Sequence, residues 1–187
     1  MRIIGGNFRG KKIIEPKDKE TRPLKDLTKE SIFNIINHSN KFSINIEKSN
    51  VLDLFSGTGS FGLECLSRKA KHVSFVENYK KILPILKKNL SNLKSISNYS
   101  IIEKNILIDL NFLEKKEKFD IIFLDPPYKE KEIDNILNNL SKYKALKTNG
   151  VIIIHKHKKE EDNFPEKFKI IEKKKYGISK IIFGKFI

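Results

Sequence analysis

From Val51 onward the chain repeats one unit: a short run of branched apolar residues, a turn signal, then a stretch with apolar side chains at helical spacing. That alternation constrains the fold more than any single residue. It predicts strands at Val51–Phe55, His72–Glu77, Tyr99–Glu103, Phe119–Leu124 and Val151–His155. Helical patterns near Phe61–Arg68, Tyr79–Leu93, Ile106–Lys115 and Lys131–Lys144 lie between or after them. Strands separated by single helices pair in parallel through right-handed crossovers, and both sheet faces are then covered. In the last helix Ile133, Ile136, Leu137 and Leu140 form one apolar stripe. Pro84 sits inside the second helical pattern, so that helix either starts near it or kinks there. The ending differs. Phe168–Glu172 and Ser179–Lys185 are joined through Gly177 with no helix between, which predicts an antiparallel hairpin closing the sheet edge. The expected class is α/β with a mostly parallel sheet, as a single domain over residues 1–187 whose core is 51–187 and whose extension is 1–40.

Ahead of that core, Arg2 through Ile14 reads as two short β-like runs around a glycine turn, with Gly5, Gly6 and Gly10 permitting the positive φ a hairpin needs. Thr21-Arg22-Pro23 then opens a helix, because proline fits a first helical turn. Leu24, Leu27, Ile32, Phe33, Ile35 and Ile36 form its core stripe, leaving Arg22, Lys25 and Lys29 off it and able to face a ligand.

Charge narrows the partners. The 187 residues carry 38 Lys+Arg against 23 Asp+Glu, a formal net charge of +15. A chain that basic attracts polyanions such as nucleic acid or an anionic membrane surface. Arg2, Arg9, Lys11 and Lys12 on the hairpin, with Arg22, are the candidate phosphate contacts. Met1-Arg2-Ile3-Ile4-Gly5-Gly6 lacks the apolar run of a signal peptide, and no stretch approaches the roughly 18 apolar residues of a membrane span. Cys65 is the one cysteine, which excludes an internal disulfide. His155 and His157 could share one strand face as metal ligands, but no third ligand has suitable spacing. A cytoplasmic, metal-free monomer is expected.

Two motifs carry chemistry. Asp53-Leu54-Phe55-Ser56-Gly57-Thr58-Gly59-Ser60-Phe61-Gly62 has the G-x-G-x-x-G spacing at a strand end. Its glycines let a ligand approach the backbone beside a helix N-terminus. Asp53 stands where a pyrophosphate would be repelled and a cationic amino acid end would be attracted, and Glu77 ends the next strand where a ribose diol would lie. S-adenosylmethionine, with an ammonium and carboxylate at one end and a ribose at the other, matches both acids. The plainer alternatives are a helix cap for Asp53 and a solvated strand-end acid for Glu77. Asn105, with Ile106, would flank the adenine, or Asn105 is only the N-cap of the next helix. The cradle thus comprises Asp53, Phe55, Gly57, Gly59, Glu77, Asn78, Asn105 and Ile106. Cys65 lies in the apolar helix after the glycines and reads as core.

The second motif is Asp125-Pro126-Pro127-Tyr128, which ends an apolar strand. Proline cannot donate to a sheet ladder, so the strand stops in a stiff turn with a carboxylate, free carbonyls and a flat ring. Those groups suit an exocyclic amine on a planar base. Asp125 and the Pro126 carbonyl would orient it, and Tyr128 would stack on a base extruded from its helix.

The order of these parts resembles the class I methyltransferases that act on exocyclic amines. Arg2-Ile3-Ile4-Gly5-Gly6, Arg9-Gly10-Lys11-Lys12, Thr21-Arg22-Pro23, the Glu30-to-Ile35 segment, the block from Val51 to Arg68, and Lys174-Lys175-Tyr176-Gly177-Ile178-Ser179 look like the RsmD family of bacterial 16S ribosomal RNA guanine-N2 methyltransferases. The resemblance spans nearly the whole chain. It implies a seven-stranded Rossmann-like methyltransferase sheet with a small N-terminal β-hairpin and helix, S-adenosylmethionine as donor, and 16S rRNA or the small-subunit particle as partner. Departures are Lys29 for the family's usual arginine, Leu27 where a basic residue is common, and Asn105 where many relatives carry aspartate. The rival readings are a DNA adenine-N6 methyltransferase, expected to need a recognition domain this chain has no residues for, and a non-catalytic RNA-binding assembly factor.

Overall fold

The computed structural model describes residues 1–16, 24–115, 117–127 and 132–187. Thr21, Arg22, Pro23 and Tyr128 lie outside the described residues.

Seven strands form one sheet: β1 (Asn50–Leu54), β2 (His72–Val76), β3 (Tyr99–Ile102), β4 (Phe119–Leu124), β5 (Leu146–His157), β6 (Phe168–Tyr176) and β7 (Ser179–Phe186). Their spatial order is β3-β2-β1-β4-β5-β7-β6. The pairs from β3 through β5 are parallel, while β5–β7 and β6–β7 are antiparallel. The order reverses direction between β1 and β4, and the carboxyl ends of strands at such a switch point form the crevice where α/β folds bind ligands. The helices are α1 (Asp26–His38), α2 (Ser60–Ser67), α3 (Leu83–Ser91) and α4 (Ile133–Lys142).

Alternation along each strand builds two cores. Val51, Phe75, Ile121, Phe123, Val151, Ile153 and Phe183 point to the face covered by α1, α2 and α3, where Phe33, Phe61 and Phe123 stack with centroids 5.3 and 4.1 Å apart. Leu52, Leu54, Ile122, Leu124, Ile152 and Ile154 point to the other face, under α4. Burying these side chains at about 25 cal/mol per Å² is the main stabilising term. Among the described residues no helix is long and apolar enough to cross a membrane.

Several sequence expectations need correction. Residues 106–115 are not an α-helix but a turn followed by a 3₁₀ segment at Asn111–Lys115. Asn105 Oδ1 accepts from the Leu107 N–H at 3.0 Å and Asp109 Oδ1 from the Asn111 N–H at 3.0 Å. Such local side-chain bonds compete with helix formation. Of the two outcomes open at Pro84, the helix starts near it: α3 begins at Leu83, with Pro84 in its first turn. β5 starts earlier than expected, at Leu146, and its pairing with β4 slips between Phe119 and Ile121. β6 runs four residues beyond its expected end at Glu172, to Tyr176. In α1 the buried face is Thr28, Lys29, Ile32, Phe33 and Ile36. Leu27, expected in the core, is 78% exposed, and Lys29, expected to face outward, is fully buried.

The N-terminal hairpin is short, with one antiparallel bridge, Arg2 to Lys12, around a 3₁₀ turn at Gly6–Phe8. Gly6 has the expected positive φ of 72°, whereas Gly5, at −144°, does not. A Cβ at Gly5 would meet only the end of the flexible Arg68 side chain, whereas one at Gly6 would lie 2.0 Å from the Ser67 carbonyl oxygen. The hairpin sits on the end of α2, where Ser67 Oγ donates to the Gly5 carbonyl at 2.6 Å and accepts from the Phe8 N–H at 2.9 Å.

Candidate active site

The glycine turn after β1 is wired to the neighbouring strand β2. The Ser56 N–H and hydroxyl both donate to the Val76 carbonyl on β2, at 3.1 and 3.0 Å. Phe55, at the head of the turn, takes a φ of 57°, a strained value for a non-glycine residue. Gly59 caps α2 at φ 83°. A Cβ on Gly62 would lie 2.2 Å from the Phe75 ring, so only glycine lets α2 lie this close to the sheet.

Asp53 points from β1 into this turn, where Oδ2 accepts from the Gly62 N–H at 3.0 Å. The capping alternative is therefore realised. Burial pushes the Asp53 pKa well above the usual carboxylate range; the Gly62 bond opposes that, and the charges of Asp125 and Glu77 add to it. Glu77 is 8% exposed and not a solvated strand end. Its Oε2 accepts from the Gly57 N–H at 2.7 Å and its Oε1 from the Asn78 and Tyr79 N–H groups at 2.9 Å each. A carboxylate has about four lone-pair sites, so Glu77 retains capacity for one further donor. Three acids thus gather at the carboxyl ends of β1, β2 and β4, the wrong arrangement for a phosphate and a suitable one for a cation.

The remaining cradle residues are less uniform. Asn78 is exposed beside Glu77, and Asn105 is half-buried with its carbonyl oxygen committed to Leu107. Ile106 is 3% exposed and packs in the core under α4.

Asp125 continues the ladder, its N–H donating to the Leu54 carbonyl of β1 at 3.3 Å. The backbone therefore holds the carboxylate beside the glycine turn. Pro126 is buried and Pro127 exposed. Sequence reasoning missed His155, the residue that meets Asp125: His155 Nδ1 lies 2.8 Å from Asp125 Oδ1, and Nε2 lies 2.9 Å from Ser179 Oγ. One signal was present. Both parallel strands end an apolar run in a polar residue, and Leu124 pairs with Ile154 immediately before them. His157 Nδ1 accepts from the Lys159 N–H at 3.2 Å, and among the described residues no group of three or more His, Cys, Asp or Glu side chains is placed to hold a metal ion. Cys65 is fully buried, and burial pushes its thiol pKa well up, which suits packing rather than nucleophilic attack.

The basic residues divide. Arg2, Arg9 and Lys12 are exposed, with Arg2 Nε 3.5 Å from Asp26. Lys11 is folded back, its ammonium donating to the Asn92 carbonyl and standing 5.6 Å from the Phe8 ring centre. Lys29 donates to the Arg2 carbonyl at 2.6 Å and to Ser60 Oγ at 3.3 Å, with Glu64 at 3.8 Å. Burial lowers its pKa while Glu64 and Asp26 raise it. Glu64 also accepts from the Ile4 N–H at 2.8 Å and from Arg68 Nε at 2.9 Å. This lysine locks the N-terminal hairpin to α2 instead of facing a ligand. Asn89 adds a second tie, accepting from the Ile14 N–H at 2.8 Å and donating to the Ile14 carbonyl at 3.1 Å and the Thr58 carbonyl at 3.0 Å.

Residues 1–185 match the family described as "Conserved hypothetical protein 95". The ribosomal RNA small subunit methyltransferase D of Haemophilus influenzae is 35% identical over 179 residues, covering 95% of this chain and 90% of that protein. The chain belongs to the RsmD family. Its fold agrees: the solved structure of yhhF from Escherichia coli, described as a methyltransferase, superposes with a TM-score of 0.80 at 27% identity, covering 98% of this chain and 96% of that one. The solved structure of SMU.776, described as a methyltransferase complexed with SAH, shares the fold alone, with a TM-score of 0.60 at 14% identity over 84% of this chain and 49% of that one. The antiparallel end of this RsmD-family sheet, β5–β7–β6, is what the sequence predicted.

Proposed function

We propose that this RsmD-family protein transfers a methyl group from S-adenosylmethionine to the exocyclic N2 amine of a guanine in 16S ribosomal RNA. The carrying observation is Asp125, held by backbone pairing to β1 at the mouth of a glycine turn whose buried acids want a cation. When bound, the donor supplies an electrophilic methyl on a sulfonium. Asp53 and Glu77 would hold its cationic and diol ends, with Gly57 and Gly59 allowing close approach. Asn78, Asn105 and Ile106 would line the adenine side, and Phe55 the mouth.

The chain's own contribution to the reaction is mostly orientation. An aryl amine's lone pair is conjugated into its ring, so the nitrogen attacks poorly until it is re-aimed. Asp125 and the Pro126 carbonyl accept its N–H groups, turning the lone pair toward the methyl group, while Tyr128 stacks on the extruded base and Pro127 stiffens the turn. The donor would supply the methyl group and its sulfur would keep the electron pair of the broken carbon–sulfur bond, while the proton given up by the methylated amine would be released to water. Arg2, Arg9, Lys12 and Arg22 hold phosphates, with 16S rRNA or the small-subunit particle as partner and the protein acting as a cytoplasmic monomer. The relatives' names support rRNA as substrate; guanine N2 is supported by the resemblance and by the amine-gripping turn.

Radiolabelled methyl transfer to naked 16S RNA, undermethylated small-subunit particles and duplex DNA, followed by mapping of the labelled base, tests this. Label at a guanine N2 of the RNA is expected, and label only in DNA adenine would overturn it. Asp125→Ala should bind S-adenosylmethionine near-normally by calorimetry yet lose on the order of 10²–10³-fold in turnover.

A further inference from the structure

Asp125 shares its strand end with a histidine that no part of the methyl-transfer argument has used. The His155 side chain, on β5, is 3% exposed. A carboxylate only accepts hydrogen bonds, so the 2.8 Å contact to Asp125 Oδ1 requires the proton on Nδ1. The Ser179 hydroxyl lies 2.9 Å from the ring's other nitrogen, Nε2. Ser179 is itself 8% exposed and opens β7, which pairs with β5. One polar chain therefore crosses three strands and ends on the carboxylate.

We propose that His155 is a positioning residue for methyl transfer: buttressed by Ser179, it fixes the rotation of the Asp125 carboxylate so that the target amine is aimed at the donor. This rests on the reading of Asp125 as the amine's acceptor. An aspartate's terminal torsion is broad, and a strand-end carboxylate is free to swing through it. A planar donor rigidly mounted on the adjacent strand removes that freedom. Misplacement by about 1 Å at a reacting centre is enough to cost about 10²-fold in rate. A carboxylate offers about four lone-pair sites, and the His155 bond takes one of them.

The test compares His155→Leu with His155→Asn, whose side-chain amide can donate to Asp125 from near the Nδ1 position. Turnover is read on undermethylated small-subunit particles and S-adenosylhomocysteine binding by calorimetry. His155→Leu should lower kcat by about 10²-fold while KM for S-adenosylmethionine and the affinity for S-adenosylhomocysteine hold. His155→Asn should recover most of that loss. If the leucine variant does not fold, Ser179→Ala, which removes only the far partner of the ring, should lower kcat with the same unchanged KM. A folded His155→Leu protein with normal kcat, or equal loss of turnover and cofactor affinity, or no recovery in His155→Asn, overturns the inference. An active Asp125→Ala protein would sink the reading beneath it. An inactive Asp125→Ala beside a fully active His155→Leu sinks only the role of His155.

Discussion

Among the ionic clusters of the described residues, two flank α2 and can be compared, one between the N-terminal hairpin, α1 and α2, the other at the carboxyl ends of β1, β2 and β4. In the first, Lys29 and Arg68 meet Glu64 and Asp26, and the side chains of Lys29 and Glu64 are both 0% exposed. Cations and anions balance, and backbone groups of Arg2 and Ile4 complete the set. In the second, Asp53 has other acids as its charged neighbours, and the Asp125 side chain is 14% exposed. The same chemistry, buried carboxylates bonded to backbone N–H groups, serves two ends. A charge-balanced cluster, with Lys29 and Glu64 buried and Arg68 and Asp26 partly exposed, holds parts together. An unbalanced, acidic one, open at Asp125, is stable only at some cost, which a cationic ligand would offset.

The largest effect that would break this contrast lies in the balanced cluster. Glu64→Ala leaves Arg68 without Glu64 and the buried Lys29 with only Asp26, at 3.8 Å, and should destabilise the fold by about 3–5 kcal/mol, read by urea unfolding. A loss under about 1 kcal/mol would mean that the cluster clamps nothing. Asp53→Asn should move stability the other way. A carboxyl group whose folded pKa is raised favours the fold below its unfolded pKa and loses that contribution as pH rises through the folded value. Asparagine keeps an acceptor for the Gly62 N–H without the charge. The ligand-free variant should therefore gain about 2–4 °C in Tm near neutral pH while binding S-adenosylmethionine more weakly. A lower Tm would remove the claim that the open cluster is strained. The smallest effect sharpens the role of the hairpin surface. Arg9→Ala with Lys12→Ala should flatten the salt dependence of RNA binding by about 0.7 per lost phosphate contact. Lys11→Ala, whose ammonium is already committed to Asn92, should leave the slope unchanged.

How far the sequence reached follows the same line between local and distant causes. Strand and helix alternation was legible because apolar periodicity is written residue by residue, and Pro84 marked its helix start without saying which of two outcomes held. The glycine turn and Asp125 were legible as motifs. Lys29 was not, because a lysine is buried only when partners far along the chain, here Glu64 and the Arg2 carbonyl, arrive to receive it. His155 was hidden in the β4–β5 register, which no single strand carries. The missing helix after Asn105 was a contest between periodicity and short side-chain caps, and periodicity lost. Tyr128 and Arg22 lie outside the described residues, so the stacking and phosphate roles proposed for them are argued from their positions in the chain.

The sheet's outer strand on the antiparallel side, β6, is nine residues long and, among the described residues, has a neighbour, β7, on one side only. A bare edge of that length is a template for fibres, because any second copy can dock its own backbone there. Lys169, Lys173, Lys174 and Lys175 line it, all exposed. Two copies brought edge to edge would set rows of like charge against each other at strand spacing, about 5 Å. The surplus of lysine that draws the protein toward a polyanion also keeps copies of it apart.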